Sequence, residues 1–125
     1  MKVYTATIEE CHNSTSLAEG WENIVKVITP EDAKEAERVQ REYGFITAKR
    51  FVDKCKQVPH KTVELAYSCS WMGYSRKVKI ISKQPFVVVI ESYNDMPDCF
   101  WHYLKFINAK EEEISDKDVE LIGLV

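Results

Sequence analysis

The chain has 125 residues, of which 45% are apolar and 30% charged, with 17 Lys and Arg against 20 Asp and Glu for a net charge of −3. That length suits one core, since domains run to roughly 100–200 residues, and the balance excludes a disordered tail, a collagen-like chain and a uniformly basic nucleic-acid coat. No apolar run approaches the ~18 residues of a membrane span, and Met1-Lys2-Val3-Tyr4 leads into strand-like sequence rather than a signal stretch, so a soluble, cytoplasmic protein is expected.

The segment Val3 to Ile8 mixes β-branched and aromatic residues and reads as a strand. Cys11 to Gly20 is polar and reads as a long connection, after which Asn23 to Ile28 resumes strand character. Thr29-Pro30-Glu31-Asp32 is a helix start, with Thr as N-cap, Pro where its missing N–H costs nothing and acids in the first turn. Ala33, Ala36, Val39 and Tyr43 share one face of that helix, and Gly44 ends it. A second helix is expected from Thr47 to Lys56, with Ala48, Phe51, Val52 and Cys55 as its apolar stripe and Val58-Pro59 as its stop.

From Thr62 the period becomes two, placing Val63, Leu65, Tyr67, Cys69 and Trp71 on one face of a half-buried strand. Met72-Gly73-Tyr74-Ser75 reads as a hairpin turn into Lys77-Val78-Lys79-Ile80, whose basic and apolar side chains alternate. Phe86 to Ile90 is apolar at every position, as a strand covered on both faces would be. Asn94 to Asp98 resembles a cap, and Phe100, Tyr103, Leu104 and Ile107 then fit the stripe of a third helix. The charged stretch from Lys110 to Glu120 leads to Val119 to Val125, which reads as an edge strand. The order β-β-α-α-β-β-β-α-β lacks regular βα alternation. It predicts one α+β domain over residues 1–125, a mostly antiparallel or mixed β-sheet of five to six strands with three helices packed on it.

Three constellations carry chemistry. In the expected third helix Cys99 and His102 are i, i+3 neighbours in the first turns, where the helix dipole stabilises a thiolate, so they are the reactive-thiol pair. The same residues with Cys69, Cys11-His12 or His60 could assemble a mixed zinc site. The close ligand pairs of structural zinc are missing, however, and no metal and no cofactor are expected. With wide spacing and no Cys-x-x-Cys pair, the four cysteines read as reduced thiols.

The second constellation is Trp71, Tyr74, Arg76, Lys77 and Lys79, an aromatic and basic hairpin suited to stacking bases and neutralising phosphates. The third is the acidic stretch Glu111-Glu112-Glu113 with Asp116, Asp118 and Glu120, which reads as a solvated face. The two consecutive helices invite a helix-turn-helix reading, but Arg50 sits where a recognition helix needs an apolar anchor. Four isolated glycines exclude a phosphate loop, and Glu9, Glu10, Glu64 and Glu91 show no acid/base spacing.

With no catalytic residue set, the expectation is a non-enzymatic binding or regulatory module acting by protein–protein contact, such as a small inhibitor or adaptor of the phage or mobile-element kind. Trp71, Tyr74, Trp101 and Tyr103 are its expected anchors. The alternatives are a nucleotide or single-stranded nucleic-acid binder using Trp71 to Lys79, and a thiol enzyme centred on Cys99 and His102. Homo-oligomerisation through an edge strand or Trp101 is open.

Overall fold

In the computed structural model, which describes residues 1–13, 21–70, 73–96 and 99–123, two antiparallel sheets and a pair of helices form three layers. The first sheet runs in the order β3 (Lys61–Ser70), β4 (Gly73–Ser82), β1 (Lys2–Asn13), β7 (Lys110–Glu113). The second runs β2 (Trp21–Ile28), β5 (Val87–Met96), β6 (Cys99–Asn108). Helices α1 (Pro30–Tyr43) and α2 (Phe45–Lys54) cover the far face of the second sheet, and a short α3 (Asp116–Ile122) closes the described chain.

Strand β5 explains the layering. Its residues Val87 to Ile90 are all buried, because alternate side chains enter two different cores. Val88 and Ile90 point toward the first sheet and meet Ala6, Ile8, Val78 and Ile80, with Phe86 and Val58 in the same cluster. Val87 and Val89 point the other way, to Ala33, Ala36 and Val39 of α1 and Ala48 and Val52 of α2. The small side chains on that helical face let both helices approach the sheet closely.

Thr29 caps α1 as expected, its hydroxyl accepting from the Asp32 N–H at 3.1 Å. The helix pair turns at Gly44, whose φ of 94° is a region that disfavours side chains. Thr47 does not cap α2, which begins at Phe45 directly after that glycine. Tyr43, expected on the buried stripe, is 66% exposed at the end of α1.

Three elements differ from the sequence reading. The α+β class, the antiparallel pairing and the number of helices stand, but the described strands number seven, in two sheets, rather than five to six. The helix expected over Phe100 to Ile107 is strand β6, paired with β5 from Val87↔Asn108 to Met96↔Cys99. Its aromatic and β-branched residues suit a pleated surface, and the i, i+3, i+4, i+7 spacing was a coincidence of a strand with apolar residues on both faces. The edge strand expected at Val119 to Val125 is instead the end of α3 as far as Ile122. Ser115 caps that helix through the Asp118 N–H at 3.2 Å, Asp116 and Asp118 lie in its first turn, and Gly123 ends it in the left-handed region. The acidic run before it lies in the short β7.

Strand β3 carries a bulge at Leu65, where the register against β4 shifts between Glu64 and Ala66. A one-residue slip exchanges the faces of everything after it. Val63 therefore lies opposite Lys79 on the outer face, whereas Tyr67 and Cys69 lie opposite Arg76 and Tyr74 on the face that carries Val78 and Ile80. The uniform half-buried face expected from Val63 to Trp71 is broken, and Leu65, Tyr67 and Cys69 are exposed.

Phe86 is fully buried in the inter-sheet core while Leu121 is 75% exposed. Phe86→Ala should cost ~3–5 kcal/mol and Leu121→Ala less than ~0.5 kcal/mol in urea unfolding.

Candidate functional site

The residues singled out from the sequence are distributed over both sheets. Tyr74 and Arg76 lie on the inner face of β4, in line with Val78 and Ile80, and both are half-buried. Lys77 and Lys79 lie on its outer face, so the aromatic and basic hairpin does not present one surface. Tyr103 lies on the inner face of β6 with Ile107, half-buried, and the Lys105 ammonium stands 5.9 Å from its ring centroid. Trp71 and the side chain of Trp101 lie outside the described residues, as does most of the polar connection read from Cys11 to Gly20.

Two of the three cations of this hairpin, Arg76 and Lys79, are matched by acids of the neighbouring strands. Arg76 Nη1 is 3.5 Å from Glu10 Oε2, and the other Glu10 oxygen accepts the Ile24 N–H at 3.0 Å, which ties β4, β1 and β2 together. Lys79 Nζ is 3.2 Å from Glu112 Oε1, and Thr5 Oγ1 donates to Glu112 Oε2 at 2.8 Å. The Thr5 hydroxyl and then the Lys79 ammonium hold the Glu112 carboxyl below its ordinary range, against a smaller opposing effect of burial. Charges spent within the chain contribute little to holding phosphates, so the pairing weakens the electrostatic part of a nucleic-acid reading.

Cys99 and His102 both fall in β6, which removes the helical first turn that would have stabilised a thiolate and the i, i+3 neighbourhood on a helix. The Cys99 side chain lies outside the described residues. His102 instead belongs to a cluster that the sequence reading missed. Its Nδ1 donates to Glu91 Oε1 at 3.1 Å, Lys49 Nζ donates to Glu91 Oε2 at 3.1 Å, and the imidazole stacks on Phe45 with centroids 5.2 Å apart. Glu91 on β5 thus holds the first turns of α2 against β6. Finding this pair from sequence required 99–108 to be read as a strand, because only then does the hairpin place position 102 diagonally across from position 91.

Of the described cysteines, Cys69 is an exposed free thiol, while Cys55 is partly buried and its Sγ donates to the Phe51 carbonyl at 3.3 Å. Burial pushes the Cys55 thiol up, so it is the less nucleophilic form that persists at neutral pH. Among the described residues no group of three His, Cys, Asp or Glu side chains is placed to hold a metal ion.

The sheet edges are the remaining feature with functional content. On β6, Gln40 of α1 reaches across so that its Nε2 donates to the Leu104 carbonyl at 3.0 Å and its Oε1 accepts the Leu104 N–H at 2.7 Å. On β2, the Val27 N–H donates to Gln57 Oε1 at 3.1 Å and the Val27 carbonyl accepts from the Val58 N–H at 2.9 Å, beside the Glu10 bond to Ile24. Each edge of the second sheet is thus capped in part, at Leu104 on β6 and at Val27 on β2. In the first sheet β7 is four residues long, and β3, with ten residues, has no strand or capping side chain on its outer edge among the described residues. Leu65 and Tyr67 on that strand are 50% and 61% exposed.

Among the described residues no helix is long and apolar enough to cross a membrane. Comparison with protein-family models, with curated proteins and with solved structures finds no significant match to this chain.

Two measurements follow from the paired carboxylates. Because Glu112 is lowered in the folded chain, its contribution is complete above its ordinary value of 4.5 and is lost as pH falls through the lowered one. Glu112→Gln should flatten that part of the stability curve, read as urea midpoints between about pH 5 and pH 2. Glu91→Ala, which removes the carboxylate shared by Lys49 and His102, should cost up to ~1 kcal/mol in the same assay at neutral pH, since these side chains are partly solvated.

Proposed function

We propose that the chain is a non-enzymatic binding module that acts by protein–protein contact, with β3 as its contact strand. The observation that carries this reading is the asymmetry of the edges: side chains and loop backbone cap β6 at Leu104 and β2 at Val27, β7 is short, and β3 has no such cap among the described residues. Open edges are a liability that chains normally blunt, so a ten-residue edge flanked by exposed apolar side chains suits a partner. The partner of this reading is a protein that adds an extended segment along β3. Main-chain hydrogen bonds would supply affinity, and Leu65 and Tyr67 would supply selective side-chain contact. The bulge at Leu65 bends the edge, which leaves 66–70 as the uninterrupted run for pairing.

Expressed with an affinity tag in its source cell, the wild-type chain should retain a stoichiometric protein partner through a high-salt wash. The double variant Leu65→Lys, Tyr67→Lys should lose at least ~90% of it at unchanged Tm, because both residues are surface positions whose exchange leaves the core intact. Equal capture by the variant would remove β3 as the contact strand, and a wild-type chain that elutes alone or as a self-dimer would overturn the heterologous reading.

A further inference from the structure

At the end of the molecule where β3 begins and β4 ends, a cavity of about 350 Å³ is lined by Pro59, His60, Lys61, Ser82, Lys83, Gln84 and Gly123. Its walls hold two ammonium groups and an imidazole, and no carboxylate is among the described lining residues. Lys2, Arg38, Lys49, Arg76 and Lys79 are each matched by a glutamate, whereas, among the described residues, Lys34, Lys77 and several other cations are not. Among the described residues Lys61 and Lys83 have no such partner, although the chain carries more acids than bases. Two such cations at one concavity, with no acid among its described lining residues, leave positive potential there.

The cavity is also held in shape. Ser82 is fully buried, and its hydroxyl donates to the Pro59 carbonyl at 2.7 Å while accepting the Gln84 N–H at 3.1 Å, which pins opposite walls to one atom. His60 Nδ1 lies 2.7 Å from the Val58 carbonyl, and because a carbonyl only accepts, Nδ1 carries the hydrogen and holds the ring at the wall. The Lys61 stem passes close to Gly123, where even an added Cβ would lie 3.9 Å from its Cε.

We infer that this cavity is an anion site for the phosphate monoester group of a small molecule, with Lys61 and Lys83 as the charge partners and His60 at its wall. Two ammonium groups match a group that carries close to two negative charges at neutral pH. The volume lies at the lower end of small-molecule sites, roughly 300–1,000 Å³, which suits a compact organic phosphate rather than a polymer. The inference does not rest on β3 as a partner strand: Lys61 is the first residue of β3, but Leu65, Tyr67 and the pairing run 66–70 do not line the cavity.

The test is an amide chemical-shift titration of the full chain with inorganic phosphate, at ionic strength held constant with chloride. Saturable shifts are expected at 60–61, 82–84 and 123, with affinity reduced at least ~10-fold in each of Lys61→Gln and Lys83→Gln, both exposed positions whose unchanged Tm would show that the fold is retained. Shifts that stay linear, that are spread over lysines elsewhere, or that saturate equally in both variants would overturn the site. Capture of a protein partner through β3 would be unaffected by any of these results.

Discussion

The apolar run Val87 to Ile90 can be satisfied only by burial on both sides, and the rest of the architecture answers that requirement. One strand inside a single sheet packed on one layer would leave Val88 and Ile90, or Val87 and Val89, against water. Each such side chain is worth about 1.5–3 kcal/mol of burial, so the loss of either pair would be comparable to much of a small domain's net stability. The first sheet supplies cover for one face and the two helices for the other. Neither helix is long, and their buried residues are mostly alanine and valine. They are held by docking on β5 and its neighbours more than by their own helical propensity.

A strand so placed has two edges of its own sheet to close, and the chain does this with polar side chains instead of further strands. Gln40 matches the N–H and the carbonyl of Leu104 in the manner of a missing strand, and Gln57 and Val58 do the same for Val27. A glutamine amide is suited to this because one group carries both a donor and an acceptor at the spacing of a peptide. Glu10 adds a link between layers, accepting from the Ile24 N–H with one oxygen and facing Arg76 with the other. These caps occupy the middle of β6 and the end of β2, whereas β3 of the first sheet has no counterpart among the described residues.

Where local chemistry decides the structure, the sequence is legible. Thr29-Pro30 with acids behind it starts α1, Gly44 turns the pair, and the alternation of Lys77, Val78, Lys79 and Ile80 sorts one face of β4 from the other. The misreadings arise where pairing decides. Phe100, Tyr103, Leu104 and Ile107 have helical spacing in a segment whose every other residue is also large, so the period alone does not separate helix from strand until β5 lies beside it. Ser115, Asp116, Asp118 and Gly123 do carry the cap and stop of a helix, yet the apolar tail Val119 to Val125 obscures them. The bulge at Leu65 leaves no local mark, because it is a property of the register between two strands.

The same distinction governs the sites. Lys79 and Arg76 look like a free basic patch in the chain's order, but antiparallel pairing brings Glu112 and Glu10 beside them, and the patch becomes internal structure. His102 and Glu91 are eleven residues apart on opposite arms of a hairpin and become neighbours through its register. Lys61 and Lys83 attract no notice in the sequence, being ordinary exposed lysines next to strand ends. They gain a joint role because the β3–β4 pairing places Lys61 opposite Ile81, two residues from Lys83, and because α3 brings Gly123 to the same cavity. Which charges cancel and which remain for a ligand is therefore fixed by strand register. Arg76 and Lys79 face acids from β1 and β7, whereas no acid is among the described residues that line the cavity holding Lys61 and Lys83.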